Sequence, residues 1–334
     1  MTLLIRPVGL GGAADRIGRL ARAAQEGKAS ASDLQPRLQD INFGCPWPLR
    51  ESPYLEPARA HALAWMVEFG LVADPVANEA QYRDWKLGEG AAWFFPDATP
   101  DGLALAADLM GWYFAPFDDQ FDGQLGRDMA LSAQIIQDLL DVLALPDGAK
   151  PAVSHPVVVA FADVWRRSCQ GMSPAWRERA AHHWKQYFVG QLGEVVNRAH
   201  QRKPDAVSHL RQRVATTSCR VLCDLMESVT GYEVPARAWY MPVLDEMRLL
   251  ASEIIILTND LVSAEKEEAA GDLDNNLLLI LENQEGYTRP EAVEKLRQMT
   301  HERQERFLRI EQQIPDIDDV LDAEGRALVR RYVQ

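Results

Sequence analysis

The run Ile254-Ile-Ile-Leu-Thr-Asn259-Asp260-Leu261-Val262-Ser263-Ala264-Glu265-Lys266-Glu267 lies within a longer stretch, Pro242 through Glu268, whose apolar residues keep helical spacing. On that helix Asn259, Ser263 and Glu267 stand at i, i+4 and i+8, nearly on one face. An amide oxygen, a hydroxyl and a carboxylate make an all-oxygen ligand set, which a hard divalent cation prefers. The apolar residues before Asn259 carry this face towards a buried cavity. The plain alternative is a polar helix end entering solvent.

Outward from this stretch, the same periodicity recurs at 62–67, 103–117, 157–165, 180–197, 210–230 and 291–314. Breakers separate the runs at Pro96, Pro100, Pro146, Pro174, Pro204, Pro235 and Pro315. Ser173-Pro174 reads as a helix start, a serine cap followed by proline in the first turn. Alternating strand patterns are nearly absent, and no fixed-period repeat stands out. The expected fold is all-α, roughly ten helices around one core and a central cavity. Residues 1–40 read as a Gly/Ala/Arg/Ser-rich leader and 41–334 as one helical domain.

A second cluster of oxygens precedes the first in the chain. Phe117-Asp118-Asp119-Gln120-Phe121-Asp122 ends an apolar, aromatic run that begins at Leu109. Three carboxylates at a helix C-terminus repel one another and oppose the helix dipole. Divalent cations relieve both problems, and magnesium suits carboxylates that also share phosphate oxygens. A solvated acidic helix end is the bland reading. The approach sequence argues for the mouth of an apolar pocket, with Phe94, Phe95, Trp112, Phe114 and Phe117 as candidate wall residues.

Composition narrows the function classes. The 334 residues carry 35 Lys and Arg against 49 Asp and Glu, a net charge of −14. No basic stripe is available to neutralise phosphates, so nucleic-acid binding is not expected. Cys45, Cys169, Cys219 and Cys223 form no zinc-type pattern. No apolar run is long enough to span a membrane and the N-terminus lacks signal-peptide features, so a cytoplasmic protein is expected.

The pair FDDQFD and NDLVSAEKE resembles the bacterial class I terpene synthases. The resemblance runs from about residue 41 to the C-terminus and omits the leader. It implies a magnesium-dependent cyclase that ionises an isoprenyl diphosphate, farnesyl diphosphate first and geranylgeranyl diphosphate second. It implies three magnesium ions held by Asp118, Asp119, Asp122, Asn259, Ser263 and Glu267. It assigns Arg213, 46 residues before Asn259, as the diphosphate sensor. Arg211 and Arg220 compete for that role. It assigns Lys266 as a diphosphate contact, and Thr216 and Thr217 as linker and effector, the effector carbonyl pointing at the nascent cation near a helix break. It also implies a homodimer. The segment Gly271-Asp-Leu-Asp-Asn275-Asn276 resembles the family's structural stretch after the second motif. Arg331-Tyr332 echoes the family's closing pair. The surrounding residues, however, resemble the segment upstream of that pair, which is therefore expected beyond residue 334.

Two other classes compete. A chain-elongating prenyltransferase needs a second Asp-rich motif where this chain has Asn259, Ser263 and Glu267. A non-catalytic helical binding protein has no use for two oxygen-ligand sets beside apolar faces.

Overall fold

The computed structural model of the chain describes residues 38, 41–72, 82–83, 85–114, 125–146 and 148–334. The expected leader and the residues Phe117, Asp118, Asp119 and Asp122 fall outside the described residues, Leu38 of the leader apart. Among the described residues the regular structure is helical throughout, without strands.

The first part of the domain is built on one central helix. α1 (Leu55–Glu68) and α2 (Leu87–Phe94) lead into α3 (Pro100–Trp112). Proline in the first turn and the Thr99 side chain, which accepts from the Gly102 N–H at 3.0 Å, start α3. Every residue from Gly102 to Trp112 except Ala104 is buried, so α3 is enclosed on all sides. α1, α2 and α5 (Pro156–Ser168) pack against it, and α4 (Met129–Leu143) packs on α5 and on α6 (Pro174–Ala199) in the same core. Ser173 caps α6 as its sequence predicts, its hydroxyl accepting from the Trp176 N–H at 3.1 Å. Where α3, α5 and α6 meet, Trp112, Phe161, Trp184 and Phe188 interlock. Each of the six pairings of these rings brings centroids to between 4.7 and 6.4 Å.

The run 210–230 divides into α7 (Ala206–Thr216) and α8 (Cys219–Thr230). Thr217 ends the first, and Ser218, in the left-handed region at φ +55°, begins the second. The far end of α8 meets the start of α3, where Thr99 N–H donates to Val229 O at 3.0 Å. A Cβ on Gly102 would lie 2.0 Å from that same carbonyl oxygen. Only glycine allows this approach of helix to backbone. Gly102→Ala is therefore expected to lower the free energy of unfolding by about 3 kcal/mol, since overpacking against rigid backbone has no cheap relief. An unchanged urea midpoint would show that the α3–α8 junction opens freely.

After the four-residue α9 (Ala236–Trp239), α10 (Pro242–Ala270) spans the domain. Pro242 in its first turn and Gly271, left-handed at φ +77°, bound it. α11 (Leu277–Asn283) and α12 (Arg289–Glu311) follow, and α12 packs along α10. Thr288 and Glu291 start α12 with reciprocal side-chain caps. The last helix, α13 (Ala323–Val333), docks through Arg331 and Tyr332. The Arg331 guanidinium lies 4.3 Å over the Tyr232 ring, and Tyr332 packs 5.3 Å from Trp239, its hydroxyl donating to Cys223 O at 3.4 Å. Both side chains that echo the family's closing pair are thus committed to holding this helix. Trp239 itself lies under two guanidinium groups, Arg179 at 3.6 Å and Arg248 at 4.1 Å.

Candidate active site

The buried row of α10 runs Ile256, Leu257, Asp260, Leu261 and Ala264. Asp260 belongs to that row, a carboxylate with no exposed surface among apolar neighbours. The oxygen ligands predicted from sequence lie on the adjacent face, Asn259 exposed and Ser263 and Glu267 half-buried. Their row therefore looks out from the core beside a buried charge.

That charge is fully partnered. One Asp260 oxygen lies 2.8 Å from His209 Nε2 and accepts from the Leu277 N–H at 2.8 Å. The other accepts from Arg213 Nη2 at 3.3 Å. Burial alone would raise the Asp260 pKa, but the Arg213 charge and the His209 hydrogen bond outweigh it, and the carboxyl lies below its ordinary range. The same Arg213 Nη2 donates to Asn259 Oδ1 at 2.8 Å. His209 and Arg213 stand one turn apart on α7, so a single helix face supplies both partners.

Asn276 gathers the other end of the row. Its amide nitrogen donates to Glu267 Oε2 at 2.8 Å, to Asp260 O at 2.6 Å and, more weakly, to Ser263 Oγ at 3.3 Å. Its oxygen caps α11, accepting from the Leu278 N–H at 2.9 Å. Glu267 is pushed up to about 7, by burial first and by Asp260 second, against the pull of Arg213 and Asn276. The donor chemistry fits a hard divalent cation. Three oxygens line one helix face, and the half-buried Glu267 carboxylate lies in the last turn, at the negative end of the helix dipole.

The three candidate sensor arginines separate cleanly. Arg213 reaches the row. Arg211 is exposed, and Arg220 pairs with Asp245. Burial disfavours the Arg213 charge, yet Asp260, Glu194 and Glu267 together hold it firmly protonated. Lys266 is exposed on α10 beside Glu267.

Thr216 and Thr217 lie at the break between α7 and α8. Arg213 O accepts from both the Thr217 N–H at 3.0 Å and the Thr217 hydroxyl at 2.9 Å. The Thr216 carbonyl accepts from Gln191 Nε2 of α6 at 3.0 Å. The Thr216 hydroxyl is buried with no hydrogen-bond partner among the described residues.

The predicted wall aromatics divide into two groups. Trp112 and Phe95 sit in the core, and the Trp112 indole N–H donates to Val157 O at 2.9 Å. Their rings are enclosed by protein. Phe94 and Phe114 keep 41% and 52% of their surface exposed, a burial state compatible with facing a cavity.

Four residues of this network escape a motif search: Asp260, His209, Asn276 and Gln191. Asp260 carries a usable signal, a charge falling in the apolar row of a long helix. His209 carries one too, four residues before Arg213. Asn276 is marked only by its place in the stretch 271–276, and Gln191 carries no signal, since its partner is 25 residues away.

Comparison with known proteins identifies the family. Residues 108–306 match the family described as terpene synthase family 2, C-terminal metal binding. Pentalenene synthase of Streptomyces avermitilis is 40% identical over 298 residues, covering 88% of this chain and 87% of its own. A (−)-β-caryophyllene synthase of Saccharothrix espanaensis, named as (2E,6E)-farnesyl diphosphate cyclizing, is 37% identical over 298 residues, covering 89% of this chain and 83% of its own. Among solved structures, wild-type cucumene synthase superposes with a TM-score of 0.77 at 47% identity, covering 87% of this chain and 94% of its own.

Proposed function

The chain belongs to terpene synthase family 2, and from that membership we propose that it is a magnesium-dependent cyclase converting farnesyl diphosphate to a sesquiterpene. The observation that carries this reading is the Arg213 contact with Asn259, an anion-binding guanidinium set directly against a row of cation-binding oxygens. A metal-bridged diphosphate needs both charges side by side.

In this reading Asn259, Ser263 and Glu267, together with Asp118, Asp119 and Asp122, would hold magnesium, with three ions expected when the diphosphate is in place. Bound magnesium draws charge from the diphosphate oxygens and so stabilises them as a leaving group. Arg213 and Lys266 grip the same oxygens with fixed positive charge. Thr217, the effector, turns its backbone carbonyl to the cation that remains, and Thr216 links it to Arg213. Phe94, Phe114 and Phe117 offer ring faces to it and exclude water that would quench it. Farnesyl diphosphate is preferred over the geranylgeranyl compound because a relative named for cyclising it covers most of this chain.

Residues 41–334 form the catalytic domain and 1–40 a leader. A cytoplasmic enzyme is proposed; among the described residues no helix is long and apolar enough to cross a membrane. The family resemblance suggests that it pairs as a homodimer.

The decisive experiment incubates the purified protein with geranyl, farnesyl and geranylgeranyl diphosphate, with and without magnesium, and identifies the extracted hydrocarbons by mass spectrometry. Cyclic sesquiterpenes that require magnesium are expected. Cyclic diterpenes would reassign the substrate. Products no different from spontaneous hydrolysis, with every substrate, would overturn the assignment.

A further inference from the structure

The peptide unit joining Thr216 to Thr217 is held at both ends. Its N–H donates to Arg213 O at 3.0 Å, and its carbonyl accepts from Gln191 Nε2 at 3.0 Å. Helix ends leave carbonyls without intrahelical partners, and here a side chain from a different helix takes one of them. Gln191 is buried, and its neighbour Gly190 explains how it reaches. A Cβ on Gly190 would lie 3.0 Å from Thr216 Cγ2 and 3.3 Å from Ala215 Cβ. The backbone of α6 therefore runs against the break itself, within one side chain's length of the carbonyl.

The carbonyl next along belongs to Thr217. Only two soft dihedrals, φ −91° and ψ 7° at Thr217, separate it from the pinned peptide plane. Whatever fixes that plane also restricts the direction in which the Thr217 carbonyl leaves the break. An amide suits the task, because it donates a hydrogen bond without bringing charge near a cation.

We propose that Gln191 is a positioning residue for the reaction: by anchoring the Thr216 carbonyl it aims the Thr217 carbonyl at the substrate cation. This rests on the cyclase reading above and on the effector role given there to Thr217. A dipole held in advance stabilises developing charge without reorganising when the cation forms. Freed of Gln191, the plane can rock, and the carbonyl spends less time aligned.

The test replaces Gln191 by Met, which matches its length and cannot donate. Turnover, KM and product distribution are measured with the substrate found for the wild type, and folding is followed by thermal melting. The expected result is a kcat lower by about tenfold, a KM within about twofold of wild type, and a larger share of acyclic, early-quenched products. A merely structural role would move the melting temperature and leave the product ratio alone. If Gln191→Met does not fold, Gln191→Leu decides in the same way, since its side chain is apolar and cannot donate to a carbonyl. A folded variant with wild-type kcat and product ratio overturns the proposal while leaving the cyclase reading intact. A wild type that forms no terpene from any of the three diphosphates overturns both.

Discussion

Arg213→Met is expected to lower kcat/KM by about a thousandfold or more and to destabilise the fold, whereas Arg213→Lys should keep most of the stability and little of the activity. The guanidinium serves Asn259 and Asp260 from one nitrogen, at 2.8 and 3.3 Å, and in the proposed reaction its other Nη nitrogen would meet the substrate diphosphate. In that reaction, losing it would remove a fixed charge from the leaving group. It also leaves Asp260, which has no exposed surface, with only His209 and the Leu277 N–H. Stranding one partner of a buried ion pair costs about 3–5 kcal/mol. Lysine restores a charge near Asp260 but cannot present the same fork to Asn259 and phosphate together. Steady-state kinetics and urea denaturation of both variants separate the two losses. A Lys variant with wild-type turnover would mean that Arg213 acts through Asp260 alone.

The second large effect reverses the usual relation between activity and stability. Glu267→Gln should lower turnover at limiting magnesium by about a hundredfold to a thousandfold, consistent with the loss of a charged cation ligand. Its stability without magnesium should match or exceed that of the wild type. The carboxylate is half-buried beside Asp260, and a glutamine oxygen can still accept from Asn276. The substitution therefore removes a repulsion and keeps the hydrogen bond. Titrating activity against magnesium, with melting curves in chelator, reads both effects. A variant with the wild-type magnesium dependence would remove Glu267 from the ligand set.

The long helix carrying this site could be read from the chain because its limits have local causes. Pro242 starts it and Gly271 ends it, and each acts through its own backbone geometry. The oxygen row could be read because i, i+4, i+8 spacing is a property of one helix. The break at 217–218 could not be read from periodicity. Its left-handed residue is Ser218 rather than glycine, and Leu222, Leu225 and Val229 keep helical spacing beyond it. The aromatics could not be sorted from sequence for a different reason. Trp112 and Phe114 are both large aromatics of one run, and tertiary packing alone separates them, Trp112 enclosed among other rings and Phe114 half exposed. Asn276 illustrates the same limit on the polar side. It stands next to Asn275 in the chain, and nothing local says which of the two amides reaches Glu267.

The interlocked rings of Trp112, Phe161, Trp184 and Phe188 bear on how such a protein can change over generations. Each ring touches the other three, so shrinking one leaves a void that three neighbours line and none can fill alone. A lineage remodelling this part of the interior must alter several positions together or cross an unstable intermediate. Substitutions at Phe94 and Phe114 meet no such obstacle, because much of each ring is left uncovered by protein. With these two as the proposed pocket wall, selection for a new product would find its first accessible steps there, and epistasis would be strongest among the four that interlock.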